Sequence, residues 1–254
     1  MNIKGFDELR GHVSDLNTVS GRARIASMGL IVFTLTTFYF IISDQIPTWT
    51  IDSEIVVMAI GLLVFSLFFS RRKEYTEKYK EQSYRNAFIQ FALPGLAVIF
   101  AAIAHIAYMN GPHWPAGKIT MGMTILGWYW IIVGVVLWIR SVMTFGVDNL
   151  TMLYVYFPEK SRIVNSNIYG ILRHPIYASA LRIGWGLALV NTSIYALSFM
   201  FFLPLLLTGW VRLVEEKELL ERFPQYKDYR KQVPAFWTKP ADIGKFWKFL
   251  LTGE

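Results

Sequence analysis

Residues 25 to 43, IASMGLIVFTLTTFYFIIS, run for 19 positions without a charge, and this constrains the fold more than anything else in the chain. A helix of that length, at 1.5 Å per residue, roughly matches a hydrocarbon core about 30 Å thick. Only helices or closed barrels cross such a core with every backbone group hydrogen-bonded. Arg22 and Arg24 precede the run, but no small-residue cleavage pattern follows. It is therefore read as a retained helix and not a signal peptide.

Three more apolar runs follow, at about Ile51 to Phe69, Ala87 to Met109 and Ile119 to Ile139. Pro94 lies inside the third and predicts a kink there, since a membrane helix tolerates a proline when neighbours satisfy the freed carbonyl. After a polar, irregular stretch from 141 to 175 come two shorter runs, Ile176 to Val190 and Ile194 to Val211. Only Asn191, Thr192 and Ser193 separate them, which is a helical hairpin turn. The expected fold is an all-α, polytopic membrane bundle of about six transmembrane helices, a single domain over 1–254. Four helices fill 1–140, and the region 141–254 carries the hairpin and a tail.

Composition agrees: 54% of residues are hydrophobic and 17% are charged, against roughly 25% charged in soluble domains. With the N-terminus inside and six spans, every one of the 25 Lys and Arg residues except Lys118 and Arg182 falls on the inner side. Segment 71 to 85 alone carries six, whereas loop 44 to 54 carries none and holds Asp44, Asp52 and Glu54. That bias sets both termini in the cytoplasm. The net charge of +7 thus reports topology and contact with anionic membrane lipids. No basic stretch interleaved with aromatics offers a base-stacking platform, so nucleic acid is not an expected partner.

The chain has no cysteine, which excludes disulfides, thiolate nucleophiles and cysteine-bound metals. Its four histidines, His12, His105, His113 and His174, show no HxxxH spacing, and no metal site is expected. His105, in the third span, reads as a hydrogen-bonded packing residue, and Trp128, Tyr129 and Trp130 read as an interfacial aromatic belt.

Polar residues concentrate at one depth. Arg173 and His174 stand just before the fifth span, and Glu215 and Glu216 just after the sixth. A tight hairpin makes the two helices antiparallel, so both pairs meet at the inner boundary. A space with cations on one wall, carboxylates on another and tyrosines between suits an amino-acid moiety: its carboxylate near the helix start, its ammonium at a glutamate. Single arginines at span ends commonly snorkel to head groups. An acidic doublet gains nothing from anionic lipid, and binding explains it better.

From Arg162, RIVNSNIYGILRHPIYAS, then two short spans, then EEKELLERFPQYKDYRKQVP resembles the C-terminal region of integral membrane methyltransferases of the isoprenylcysteine carboxyl methyltransferase and phospholipid N-methyltransferase type. The motif residues are Arg173, His174, Pro175 and Tyr177, then Glu215, Glu216, Leu219, Phe223, Tyr226, Tyr229, Val233 and Pro234. The resemblance covers 162 to 234 and implies S-adenosylmethionine bound at the cytosolic face. It implies a cofactor site drawn from Val164, Tyr169, Leu172, Arg173, His174, Pro175, Tyr177, Glu215, Glu216 and Tyr229. A lipidic or small hydrophobic methyl acceptor would enter sideways between helices.

Two departures stand out. Where the family often has Gly-Pro-Tyr, this chain reads Asn167, Ile168, Tyr169, and the backbone is expected to differ. Arg182 lies in mid-helix, where a charge costs at least about 2.5 to 3.5 kcal/mol. It is read either as a residue that meets an anionic part of the substrate or as a structural partner of a facing helix. With Tyr177 and Glu216 it completes the expected catalytic set. Methyl transfer needs alignment, exclusion of water and, for an acceptor bearing a proton, a base such as a glutamate or Tyr177. Two other readings remain at this stage: an NADPH-dependent membrane reductase of the sterol type, and a non-catalytic lipid-binding membrane protein.

Overall fold

A computed structural model describes residues 4–161 and 164–253. Arg162 and Ile163, where the resemblance begins, lie outside the described residues. Among the described residues the chain is built of helices and turns, with no β-strand. The long elements are α1 (Val19–Ser43), α2 (Thr50–Ser70), α3 (Leu93–His105), α4 (Lys118–Phe145), α5 (Pro175–Asn191) and α6 (Ile194–Trp210). A π-helical turn, Val211–Glu215, joins α6 to α7 (Glu216–Arg222), and α8 (Tyr226–Gln232) and α9 (Ile243–Thr252) complete the tail.

Five helical stretches are long and apolar enough to cross a membrane: α1, α2, Arg72–His105 ending in α3, α4, and Ile194–Arg222. The sixth expected span, α5, has only 17 residues, about 25 Å. It is short because it is interior. Ala178, Leu181, Gly184, Gly186 and Ala188 are buried along it, and other segments cover both its ends, so it need not reach either head-group layer itself. At its C-terminal end, Ile194 N donates to Pro112 O at 2.7 Å and Trp114 N to Thr192 O at 2.9 Å.

Small residues let α5 lie against α4. A side chain on Gly186 would meet the Gly127 carbonyl 2.6 Å from its Cβ, and one on Gly134 would meet Ser179 O at 3.0 Å. Membrane helices associate through such close backbone approach, because lipid gives no hydrophobic drive between them. α3 packs on α1 and α2 in a second group.

The expected boundaries shift in three places. The third span begins far upstream, in a helical stretch from Arg72, and passes through a π-helical turn at Phe88–Ala92 just before Pro94. Such a turn re-routes the hydrogen bonds that a proline interrupts, and it is the distortion expected at this site. That helix ends at His105 and not at Met109. α4 continues past Arg140 to Phe145, since the Arg140 guanidinium finds Leu251 O at 3.2 Å and Thr252 O at 3.4 Å, at the end of α9. Gly146 then turns the chain with φ of 96°, where a Cβ would meet Asp148 Oδ1 at 2.5 Å.

Asp44 and Glu54 do not face the outside as loop acids. They turn inward onto His105, whose Nδ1 is 2.7 Å from Glu54 Oε2 and Nε2 is 3.1 Å from Asp44 Oδ2. Phe40 stacks on the ring at 3.9 Å. All four residues are buried. His105 is thus buried and hydrogen-bonded on both ring nitrogens.

Candidate active site

The hairpin turns at Thr192, which takes the left-handed conformation with φ of 60°, and brings the start of α5 to the end of α6. Arg173 donates from Nη2 and Nε to Glu216 Oε1, at 2.8 and 3.1 Å. His174 lies between the two carboxylates, with Nε2 3.2 Å from Glu216 Oε1 and Nδ1 3.2 Å from Glu215 Oε1. Pro175 begins α5 directly after it, a position where the missing N–H costs nothing. Burial disfavours the imidazolium, but the facing Glu215 and Glu216 outweigh it and hold the His174 pKa above its ordinary value.

Tyr226 Oη stands 3.3 Å from His174 Nε2, and Arg230 Nε is 3.2 Å from Glu216 Oε2. Tyr229 donates to Tyr169 O at 2.5 Å. Burial pushes the Tyr226 and Tyr229 hydroxyls above the ordinary tyrosine value, so both remain protonated donors.

Beside this corner lies a cavity of about 530 Å³ with two unlike ends. The polar end is lined by Tyr169, Arg173, His174, Tyr177, Glu215, Tyr226 and Tyr229, and residues between 149 and 161, with Val164, also line the cavity. The apolar end runs between α2, α3, α4 and α5, past Phe65, Leu96, Ile99, Ile103, Ala180 and Ile183. Tyr177 marks the junction, its ring 5.9 Å from His174 and 5.7 Å from Trp210, which stacks on Phe65 at 4.9 Å. Phe100 on α3 and Trp138 on α4 line the cavity and are 52% and 41% exposed, so its apolar end lies near the surface between these two helices.

Of the expected cofactor residues, Val164, Tyr169, Arg173, His174, Pro175, Tyr177, Glu215 and Tyr229 line this cavity. Leu172 does not; it is fully buried in the core. The acidic doublet divides. Glu215 faces the cavity, and its Oε2 is buried without a hydrogen-bond partner among the described residues, as are Tyr169 Oη and Glu216 Oε2, the last of which has only the ion pair with Arg230. Glu216 turns to the other side of Arg173, into a separate groove of about 270 Å³. Arg182 reaches neither space. Its guanidinium sits among Trp130, Trp237 and Phe246. At the departure from the family pattern, Asn167 has φ of 52°, a left-handed conformation open to Asn and Gly alike.

One polar cluster at the cavity was not anticipated. Glu218 accepts from Arg72 Nη1 at 3.1 Å and from Arg222 Nη2 at 3.0 Å, and Arg222 Nη1 reaches Ser161 Oγ at 2.7 Å. The signal was present in the sequence: Glu215, Glu218, Leu219 and Arg222 recur at i, i+3, i+4 and i+7, one helical face. All four line the cavity, and Glu216, one position off that stripe, does not.

The sequence model of the phospholipid methyltransferase family matches residues 123–226. The matched span holds α4 from Met123 onward, the His174 corner, the hairpin and the acidic doublet, and agrees with the resemblance read from the motifs. No curated protein and no solved structure matches the chain. The class of protein that the bundle and the family match together support is a membrane methyltransferase.

Proposed function

We propose that the chain transfers a methyl group from S-adenosylmethionine to a lipid-borne or otherwise hydrophobic acceptor. The observation that carries this is one cavity with two ends: a polar end offering buried, unpartnered Glu215 Oε2 and Tyr169 Oη, and an apolar end between α3 and α4 lined by the exposed Phe100 and Trp138. An unpartnered buried carboxylate oxygen is costly unless a ligand completes it, and a cationic amino-acid moiety fits it. The donor set present therefore suits S-adenosylmethionine, which supplies an electrophilic methyl group on a sulfonium.

The chain's own residues do the rest. Glu215 holds positive charge at the polar end, and Tyr169, Tyr226 and Tyr229 surround the remaining surface. His174 and Arg173, fixed by Glu216, keep that end rigid. Tyr177, at the junction, lies where the acceptor's reacting atom must come and orients it. The apolar walls exclude water, and alignment within about 3 to 3.5 Å is the main catalytic requirement. An acceptor that carries a proton would give it up at this junction, where the Glu215 carboxylate is the base within reach.

The distribution of Lys and Arg supports a polar end that faces the cytoplasm, with both termini on the same side. The test is thermal unfolding of detergent-purified protein with S-adenosylhomocysteine or NADPH. Stabilisation by S-adenosylhomocysteine alone is expected. Stabilisation by NADPH alone would make the chain a reductase, and by neither would leave a lipid-binding protein.

A further inference from the structure

Arg182 is a buried charge, 3% exposed, and no carboxylate pairs with it among the described residues. What it has instead is a carbonyl from the tail. Its Nη1 donates to Phe236 O at 3.2 Å and to Ala178 O, one turn back on its own helix, at 2.8 Å. Its Cζ lies 4.9 Å from the ring centre of Trp237, 5.5 Å from Phe246 and 5.9 Å from Trp130. Desolvated cations are held well by such π faces, and the planar guanidinium suits stacking and directed donation together.

The Phe236 carbonyl belongs to a series. Four consecutive tail carbonyls accept hydrogen bonds from the α5 region: Val233 O from Arg173 Nη1, Pro234 O from Arg173 N at 2.9 Å, Ala235 O from His174 N at 3.1 Å, and Phe236 O from Arg182. The first three land on the two residues that anchor the polar end of the cavity. The fourth comes from a side chain more than two turns further along α5.

We propose that Arg182 is a positioning residue: it fixes the tail strap 233–237 against the start of α5 and, through that strap, sets the backbone of Arg173 and His174 at the cofactor end. The inference rests on the reading that this end binds the methyl donor. It differs from an acceptor-recognition role, because the guanidinium does not face the cavity. Trp237 closes the cage from outside and is itself 41% exposed, so it gives a second handle that does not hollow the core.

The test uses the full chain in lipid nanodiscs, as wild type, Arg182→Met, Arg182→Lys and Trp237→Ala. Amide hydrogen exchange is read at residues 173 and 174, whose N–H groups donate to the strap, and at 235 to 237, which reports the strap whatever the enzyme does. Exchange at these amides is expected to rise in Arg182→Met and Trp237→Ala, and less in Arg182→Lys, with the mid-helix amides of α5 unchanged. The dissociation constant for S-adenosylhomocysteine should rise roughly 10- to 100-fold, as for a binding group displaced by about an ångström. The KM for acceptor should not change.

Unchanged exchange at Arg173 and His174 would overturn the proposal, and so would looser exchange with unchanged cofactor affinity. A rise in acceptor KM alone would make Arg182 a recognition residue. If Arg182→Met does not fold, Trp237→Ala decides by the same signature. A wild type that binds no S-adenosylhomocysteine would defeat the functional reading, while exchange still judges the strap.

Discussion

Arg173 and Glu216, 43 positions apart, share the Glu216 Oε1 atom through two guanidinium hydrogen bonds, at 2.8 and 3.1 Å. That contact closes the base of the α5–α6 hairpin. It also decides the roles of the acidic doublet: Glu216 is occupied with holding the corner, which leaves Glu215 to face the cavity.

Glu216→Ala should therefore act first on stability. The pair is deeply buried, with side-chain exposures of 10% and 1%. Removing one partner strands the other charge, at a cost of about 3 to 5 kcal/mol. The unfolding midpoint without ligand should fall clearly, and a midpoint equal to the wild type would show that the contact does not hold the hairpin.

The pH dependence follows from His174. Its folded pKa is raised above the ordinary value, so the imidazolium stabilises the fold most below about 6.5, the unfolded value. That contribution is lost as pH rises through the higher folded value. Stability curves of wild type and His174→Gln should therefore differ most on the acid side of this window and converge toward its alkaline side. Parallel curves through the window would contradict the assignment.

The close approach of α4 and α5 makes Gly186→Leu disruptive. A Cβ there meets the Gly127 carbonyl at 2.6 Å, so the helices must part, and overpacking of this kind typically costs about 1 to 3 kcal/mol. Thermal unfolding checks it. A variant as stable as the parent would mean that the seam is looser than described.

Ala180 lines the apolar end, some distance along α5 from the His174 corner. Ala180→Phe should fill that end and slow transfer to acceptor at least about tenfold, which corresponds to ~1.4 kcal/mol. Affinity for S-adenosylhomocysteine should hold. Equal losses of both would mean that the two ends of the cavity are not separate subsites.

The hairpin and its meeting of opposite charges were legible because spacing alone dictates them: two short apolar runs three residues apart can only fold back. Which glutamate faces the cavity was not read, because the π-helical turn Val211–Glu215 ends within the doublet and shifts the helical phase there. The stripe from Glu215 to Arg222 did carry that information. Arg182 was readable as costly, but its partners Phe236, Trp237 and Phe246 come from a tail that sequence periodicity does not place. Arg140 marked a false helix end for the same reason. Asp44 and Glu54 read as loop acids because their partner His105 lies on another helix more than 50 positions away.

The central claim is that the polar end of this cavity, with Glu215 facing inward, holds the methyl donor. The most direct measurement is calorimetric titration of S-adenosylhomocysteine into wild type and Glu215→Gln in the same detergent. Binding to the wild type is expected, with an affinity lower by at least about tenfold in the variant, the scale of one hydrogen bond to a charged group. Equal affinity in both, with the variant folded, would contradict it.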